Sequence, residues 1–337
     1  MKQVIFFPSG TRELPSSHLR IYEVAAELEK RQLAVPIIVN PNLEDEHKTV
    51  YLETAPEGSI VYIQKIAQSF HKAESFQPYR DRFTFVYDVD DYHEGRDSQL
   101  MDFVDLVVSG SHYISHFAVT YNPYVYTLCS ITDTEIYRFA ERSNKDPEAP
   151  VQIVWSEWYA NAYIEDMFPL KSVMQELYEE FGIRFVLQGL RENRHVVKDD
   201  YKNKIIEFIR MFPFAIVQKY MTLDQYLDIG VRTLFESDIG ILPFKEDRVG
   251  KAGQNARSFM SCGLATVASP HNEHDYIIDH GNTGFLASTS DEWYTYLREL
   301  IIDRSKRLVM GIAASEHIRA TYSREVYMNS IVQILQL

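Results

Sequence analysis

Residues 238–287 read DIGILPFKEDRVGKAGQNARSFMSCGLATVASPHNEHDYIIDHGNTGFLA. The stretch opens with a short apolar run, 239–242, which Pro243 ends. A polar loop with Gly250, Lys251, Gly253 and Asn255 follows, then a short helical pattern over 256–262 that Gly263 stops. A second apolar run, 264–268, leads through a polar segment to the turn Gly281-Asn282-Thr283-Gly284. Strand, Gly-bearing loop, helix, strand is one unit of a parallel α/β sheet. Its loop places free backbone N–H groups and a lysine at a helix N-terminus, the place where an anionic ligand sits.

The same alternation runs through the chain. Strands are predicted at 2–8, 35–39, 60–63, 83–89, 105–109 and 125–131, with helices between them. The first helix is expected over about 18–31, capped by Ser16 or Ser17. Residues 141–150, ERSNKDPEAP, are charged, Pro-bearing and without periodicity, so the domain boundary is placed there. Beyond it, strands are predicted at 151–155, 184–187, 214–217 and 238–242. Helices are predicted at about 163–181, 202–211 and 223–235. The end of the chain is helical over 291–303, 304–319 and 324–335. Two sets of βα units imply an α/β protein of two doubly wound domains, 1–145 and 150–320, followed by a C-terminal helix in 321–337.

Composition narrows the function classes. With 34 Lys and Arg against 48 Asp and Glu, the net charge of −14 weighs against a nucleic-acid partner, although a local basic groove would escape this count. No apolar run approaches the ~18 residues of a membrane span. The N-terminus reads as a first strand and not as a secretory leader. The two cysteines, Cys129 and Cys262, suit a reducing cytoplasm and offer no disulfide framework or zinc site. The expected location is cytoplasmic, with peripheral attachment to a membrane left open. His112 and His116 are four apart, but no third ligand has useful spacing, so they read as ordinary helix histidines.

Open parallel sheets bind ligands at the carboxyl ends of their strands. The strand over 83–89 runs directly into Asp88, Asp90, Asp91, His93 and Glu94, a candidate catalytic cluster. The plain alternative is a solvated acidic loop. If Asp90 and Asp91 are both buried, their repulsion raises at least one pKa. Arg20 falls in the first turn of the first helix, where the macrodipole disfavours a cation, and this conflict marks it as a candidate for a ligand contact.

Taken together these pieces resemble the nucleotide-sugar glycosyltransferases of the GT-B fold, and in particular the retaining, bacterial-type family four. The likeness rests on Asp238-Ile239-Gly240, Pro243, the run from Cys262 to Ser269, and the run from Ile278 to Leu286. It extends to Pro15-Ser16-Ser17-His18-Leu19-Arg20, to Asp105, Ser109, Ser111, Tyr113 and Asp133, and to Arg307, Met310-Gly311 and Tyr322-Ser323. The resemblance implies two facing Rossmann-like domains, with the last helix crossing back to the first. It implies a nucleotide diphosphate sugar (UDP or GDP) as co-substrate, no metal, and a glycan, lipid-linked or small-molecule acceptor.

Site residues follow from the same resemblance. Donor binding is expected at Gly250, Lys251, Ala252, Gly253, Asn255, Arg257 and Ser258, with Lys219 and Tyr220 near the base. Helix-start N–H groups and cations there would stabilise the pyrophosphate as its charge grows. The acceptor or cleft side is expected at Ser9, Gly10, Ser16, Ser17, Arg20 and Trp155. Catalysis is expected from Asp90, Asp91 and His93, as general base or as stabilisers of an oxocarbenium-like transition state. Two departures stand out. Asp90 occupies the place where many relatives carry a His. Ser258 occupies that of a ribose-binding Glu, whose paired Glu would fall on Gly250. The rivals are another GT-B enzyme such as an epimerase or phosphorylase, a non-catalytic scaffold of the same fold, and a nucleic-acid base glycosyltransferase of viral type.

Overall fold

The computed structural model describes residues 1–66, 68–92, 95–157, 160–190, 199–219, 221–246, 252–271 and 273–337. The chain divides into two compact units, chiefly Met1–Ile131 with Tyr322–Leu337, and Thr132–Val249 with Gly253–Thr321. Each unit is built on a six-stranded parallel sheet flanked by helices.

The first sheet contains β1 (Lys2–Phe7), β2 (Ala34–Ile38), β3 (Ile60–Gln64), β4 (Thr84–Val89), β5 (Leu106–Ser109) and β6 (Val125–Thr127). Their order is β2-β1-β3-β4-β5-β6. Side chains alternate between two cores, as the period of two requires. Ile5, Phe7, Val61, Ile63, Phe85, Tyr87 and Val107 enter one. Val4, Phe6, Ile60, Tyr62, Val86 and Val108 enter the other.

The second sheet contains β7 (Gln152–Ser156), β8 (Arg184–Leu190), β9 (Ile216–Lys219), β10 (Ile239–Leu242), β11 (Ala265–Ala268) and β12 (Gly284–Leu286). Their order is β12-β11-β10-β7-β8-β9. Two doubly wound parallel sheets are the α/β architecture expected from the alternation of the sequence.

Several local features differ from the sequence expectation. Neither Ser16 nor Ser17 caps the first helix. Leu14 holds the N-cap position without a side-chain bond, and Pro15 takes the first helical position. Proline fits there because that N–H would be unsatisfied anyway. The helix therefore starts earlier, and Ser17 is drawn inside it and buried. It continues through a π turn, His18–Tyr22, into Glu23–Lys30. Strand β6 is only three residues long, and just beyond it Leu128 O and Ser130 Oγ accept hydrogen bonds from Arg20. The helix expected over 163–181 begins as a 3₁₀ segment, Ile164–Leu170, and becomes α-helical only at Lys171–Phe181. Pro169 lies at the end of that 3₁₀ segment, where it cannot donate to an α-helical ladder. The polar stretch 141–150 is tied into the second unit by Arg142, which is 4% exposed.

The C-terminal helix, Arg324–Leu335, belongs to the first unit. It buries Tyr327, Met328, Ile331 and Leu335 in the second of that unit's cores. At about 1.5–3 kcal/mol for each fully buried aliphatic side chain, this burial outweighs the ion pairs alongside. The Arg31–Glu325 pair, at 2.7 Å, has Glu325 66% exposed and contributes at most ~1 kcal/mol.

Beneath that helix lies a buried ion pair. Arg20 donates through Nε to Asp88 Oδ1 at 2.5 Å and through Nη2 to Asp88 Oδ2 at 3.0 Å, and neither side chain has exposed surface. Tyr62 donates to the same carboxylate. Arg20 also donates to Leu128 O at 3.0 Å and Ser130 Oγ at 3.3 Å. Removing one partner of such a pair strands the other charge. Arg20→Met is expected to cost about 3–5 kcal/mol in urea unfolding. A loss under 1 kcal/mol would show that the pair is not an anchor.

Candidate functional site

In the first unit, polar side chains gather at the carboxyl ends of β1, β3 and β4, where an open parallel sheet presents its ligand-binding loops. Gln64, the last residue of β3, has no exposed surface. Its Oε1 accepts from Ser9 N–H at 3.0 Å, Ser9 Oγ at 3.1 Å and Ser17 Oγ at 2.8 Å. Ser17 Oγ in turn accepts from Gly10 N–H at 3.1 Å. Ser9, Gly10 and Ser17 are thus brought together. Ser16 is half-buried and joins no side-chain hydrogen bond among the described residues. Arg20 is placed inward, on Asp88.

Lys65, the residue after Gln64, reaches both candidate carboxylates. Its Nζ lies 3.2 Å from Asp90 Oδ1 and 2.7 Å from Asp91 Oδ2. Burial alone would lower the Lys65 pKa, but the two carboxylates outweigh it and hold the ammonium well above the usual lysine range. Asp90 is 8% exposed as a residue, whereas the Asp91 side chain is 49% exposed. The two aspartates are therefore not both buried, and a cation stands between them. Gly110 makes room for this turn: a Cβ there would lie 3.0 Å from both Cα and Cβ of Asp90. His93 lies outside the described residues. Lys65 and Gln64 were missed in the sequence, where their signal is a polar pair closing a run of buried strand residues.

In the second unit the Gly-rich loop leads to the helix Gln254–Ser261. Gly253 is its N-cap, left-handed at φ 62°. A Cβ at this position would lie 2.5 Å from Ile277 Cδ1 and 3.1 Å from Glu273 Cβ, so only glycine lets the helix start this close to the short helix His274–Ile277. Asn255 Nδ2 donates to Ser156 O, at the end of β7, at 3.3 Å. Arg257 has no exposed surface and donates through Nη2 to Gln254 Oε1 at 2.9 Å. Ser258, 3% exposed, lies beside Tyr137 and accepts from Gln254 Nε2 at 3.5 Å. Ala252 is half-buried and Lys219, the last residue of β9, is exposed. Gly250, Lys251 and Tyr220 lie outside the described residues. Trp155 is 1% exposed and packs on Phe208 with ring centroids 5.7 Å apart. It shares the core-facing side of β7 with Ile153, so the pleat turns it into the core.

Two further buried groups adjoin this helix. Glu273 and His274 have no exposed surface. His274 Nδ1 lies 2.9 Å from Ser269 O and its ring stacks on Phe244 at 5.2 Å. The carbonyl accepts, so Nδ1 carries the proton, and Nε2 has no hydrogen-bond partner among the described residues. Burial, with neighbouring His271 and Arg257, holds its pKa down at about 4. Among the described residues no group of three His, Cys, Asp or Glu is placed to hold a metal, and no helix is long and apolar enough to cross a membrane.

Comparison with known proteins adds the fold. No family model and no curated protein matches the chain. Solved structures do. A glycosyltransferase from Rickettsia africae ESF-5 superposes with a TM-score of 0.68 at 12% identity, covering 100% of this chain and 98% of that one. Sucrose-phosphate synthase from Thermosynechococcus elongatus gives 0.70 at 11% identity, covering 100% and 98%. Anabaena Alr3699/HepE in complex with UDP gives 0.70 at 13%, covering 100% of both chains. The chain has the GT-B fold. Identities this low speak for the fold alone.

Two predictions follow from the geometry. Gly253→Ala forces a left-handed alanine, costing roughly 1–2 kcal/mol before the clash with Ile277 is counted. Thermal unfolding is expected to show a clear loss, and an unchanged midpoint would mean that the turn relaxes freely. The second concerns acid. His71, buried against Lys65 O, is also held at about 4, while an unfolded histidine titrates near 6.5. Between those values the unfolded chain takes up protons that the folded chain does not. Stability is therefore full above pH 6.5 and falls towards pH 4, by up to ~1.4 kcal/mol per pH unit for each histidine. Urea midpoints across this range should fall in the wild type and fall less in a His71→Gln/His274→Gln variant.

Proposed function

We propose that this protein is a glycosyltransferase moving a sugar from a nucleotide diphosphate sugar to an acceptor hydroxyl. The observation that carries the reading is the start of the helix Gln254–Ser261. It opens at a left-handed glycine that lets the helix N-terminus pack closely and itself brings no side-chain cap to the first N–H groups. Such an end stabilises phosphate charge, and the charge on the leaving nucleotide grows in the transition state. In this reading the second unit holds the donor, with Lys251 as the phosphate cation; Arg257, expected beside it, is fully buried. The Anabaena neighbour was solved with UDP and with UDP-glucose, which favours UDP as the first donor to test.

The first unit then supplies the acceptor side. Asp91, the more exposed carboxylate, is the better placed to take a proton from an incoming hydroxyl, while Asp90 holds Lys65. Helix dipole and side-chain cations do the work that a metal does elsewhere, so turnover should persist in EDTA.

One observation favours a second reading. Ser258 is buried against Tyr137 and offers no carboxylate to ribose hydroxyls, as a binding module without turnover would tolerate. A panel of nucleotide diphosphate sugars separates the two. UDP-sugars should raise the melting temperature by mass action. Lys251→Ala should remove that rise, and Asp91→Asn should cut transfer by about 10²–10⁴-fold with the rise intact. Stabilisation without any sugar transfer would select the binding module. Absence of stabilisation by every donor would overturn both readings.

A further inference from the structure

The second unit carries a cluster of cations at the other end of its sheet. A small pocket lies beside the amino ends of β7 and β10, with a cavity volume of about 20 Å³. Its charged lining is Arg142, Lys145, Asp146, Asp238, Arg304 and Arg307. Four cations against two carboxylates give this lining a formal charge of +2, in a chain whose net charge is −14.

The arginines there are held by carbonyls and not by carboxylates. Arg142 donates to Ser237 O at 2.6 Å, Cys262 O at 2.7 Å, and Ala140 O and Leu234 O at 2.8 Å. Arg304 donates through Nη2 to Ser143 O at 2.9 Å and Lys145 O at 2.7 Å. Arg307 donates through Nη1 to Leu300 O and to Ile301 O. None of the three forms an ion pair among the described residues. The carboxylate nearby, Asp238, is already engaged: Oδ1 accepts from Lys145 at 2.8 Å and Oδ2 from Gln152 N–H at 2.9 Å. Burial pushes both Arg142 and Arg307 below the usual arginine range, although Asp238 acts on both, with Glu141 on Arg142 and Asp303 on Arg307, to hold them up. Nε and Nη1 of Arg304, and Nε and Nη2 of Arg307, have no acceptor among the described residues.

We propose that this pocket is an oxyanion site that binds a phosphate group, separate from the donor site. A phosphate would meet the guanidinium N–H groups of Arg304 and Arg307 that no acceptor takes up among the described residues, and the planar guanidinium fork matches its oxygens. Phosphate groups of a donor would sit at the carboxyl ends of the strands, whereas this pocket lies at their amino ends, so it stands independently of the donor reading. Occupancy would tie the start of the helix Arg304–Tyr322 to the segment 142–145.

The test is calorimetric titration of the intact chain with inorganic phosphate and with glycerol phosphate, at constant ionic strength in chloride. Binding of inorganic phosphate at least as tight as that of the ester points to the free ion; tighter binding of the ester points to a phosphorylated metabolite. Arg304→Gln/Arg307→Gln should weaken binding roughly tenfold or more. Asp146→Asn, at an exposed rim position where the amide keeps the Oδ1 that accepts from Glu148 N–H, should tighten it by about two- to threefold. Saturating UDP should leave it unchanged. Lack of binding by either probe, affinity indifferent to Asp146→Asn, or displacement by UDP would overturn the proposal.

Discussion

A strand buried on both faces has nowhere to place polar chemistry except at its ends, and most of this protein's design depends on that constraint. In β3 every residue from Ile60 to Gln64 is buried. The apolar run closes on Gln64 and Lys65, the two residues that organise Ser9, Ser17, Asp90 and Asp91. In β10 the four residues Ile239–Leu242 are all buried, and polarity returns in the loop that leads to Gly253. Position along a strand thus decides whether a polar residue serves packing or is available to a ligand.

This explains what was legible in the sequence. Short apolar runs at regular spacing, punctuated by Gly and Pro, state the period of a parallel α/β sheet, and the first eleven strands start within two residues of where the pattern puts them, whereas β6 ends four residues early and the three-residue β12 falls where only a turn was expected. The clustering of Asp90 and Asp91 at a strand end was legible for the same reason. Partners that are distant in sequence were not. Lys65 lies 25 residues from Asp90, and only the β3–β4 pairing brings them together. Trp155 sits at the end of a strand, yet the pleat turns it inward to Phe208. Ser16 and Ser17 have capping chemistry, but Pro15 starts the helix before them.

The buried arginines share one logic. Arg20, Arg142 and Arg257 each have 4% exposure or less. A guanidinium keeps its charge where a lysine would give up its proton, so burial must be answered by acceptors and not by neutralisation. Arg20 is answered by a carboxylate, and the result is a tightly held strand end beneath the C-terminal helix. Arg142 is answered by four carbonyls, which hold the chain after the first unit against Ser237 and Cys262. The difference is one of net charge: the first arrangement is closed, while the second leaves a positive field.

The conflict at Arg20 shows why a local rule can point the wrong way. A cation in the first turn of a helix is disfavoured by roughly 0.3–1 kcal/mol at an exposed site, and that mild cost reads as a mark of function. Here the cost is small beside what opposes it. The two bonds to Asp88, at 2.5 and 3.0 Å, lie in a fully buried environment where losing one partner costs about 3–5 kcal/mol. The helix also enters through Pro15 and passes through a π turn at His18–Tyr22, the segment that carries Arg20 towards Asp88. The local irregularity and the misplaced cation therefore have a common cause in long-range packing.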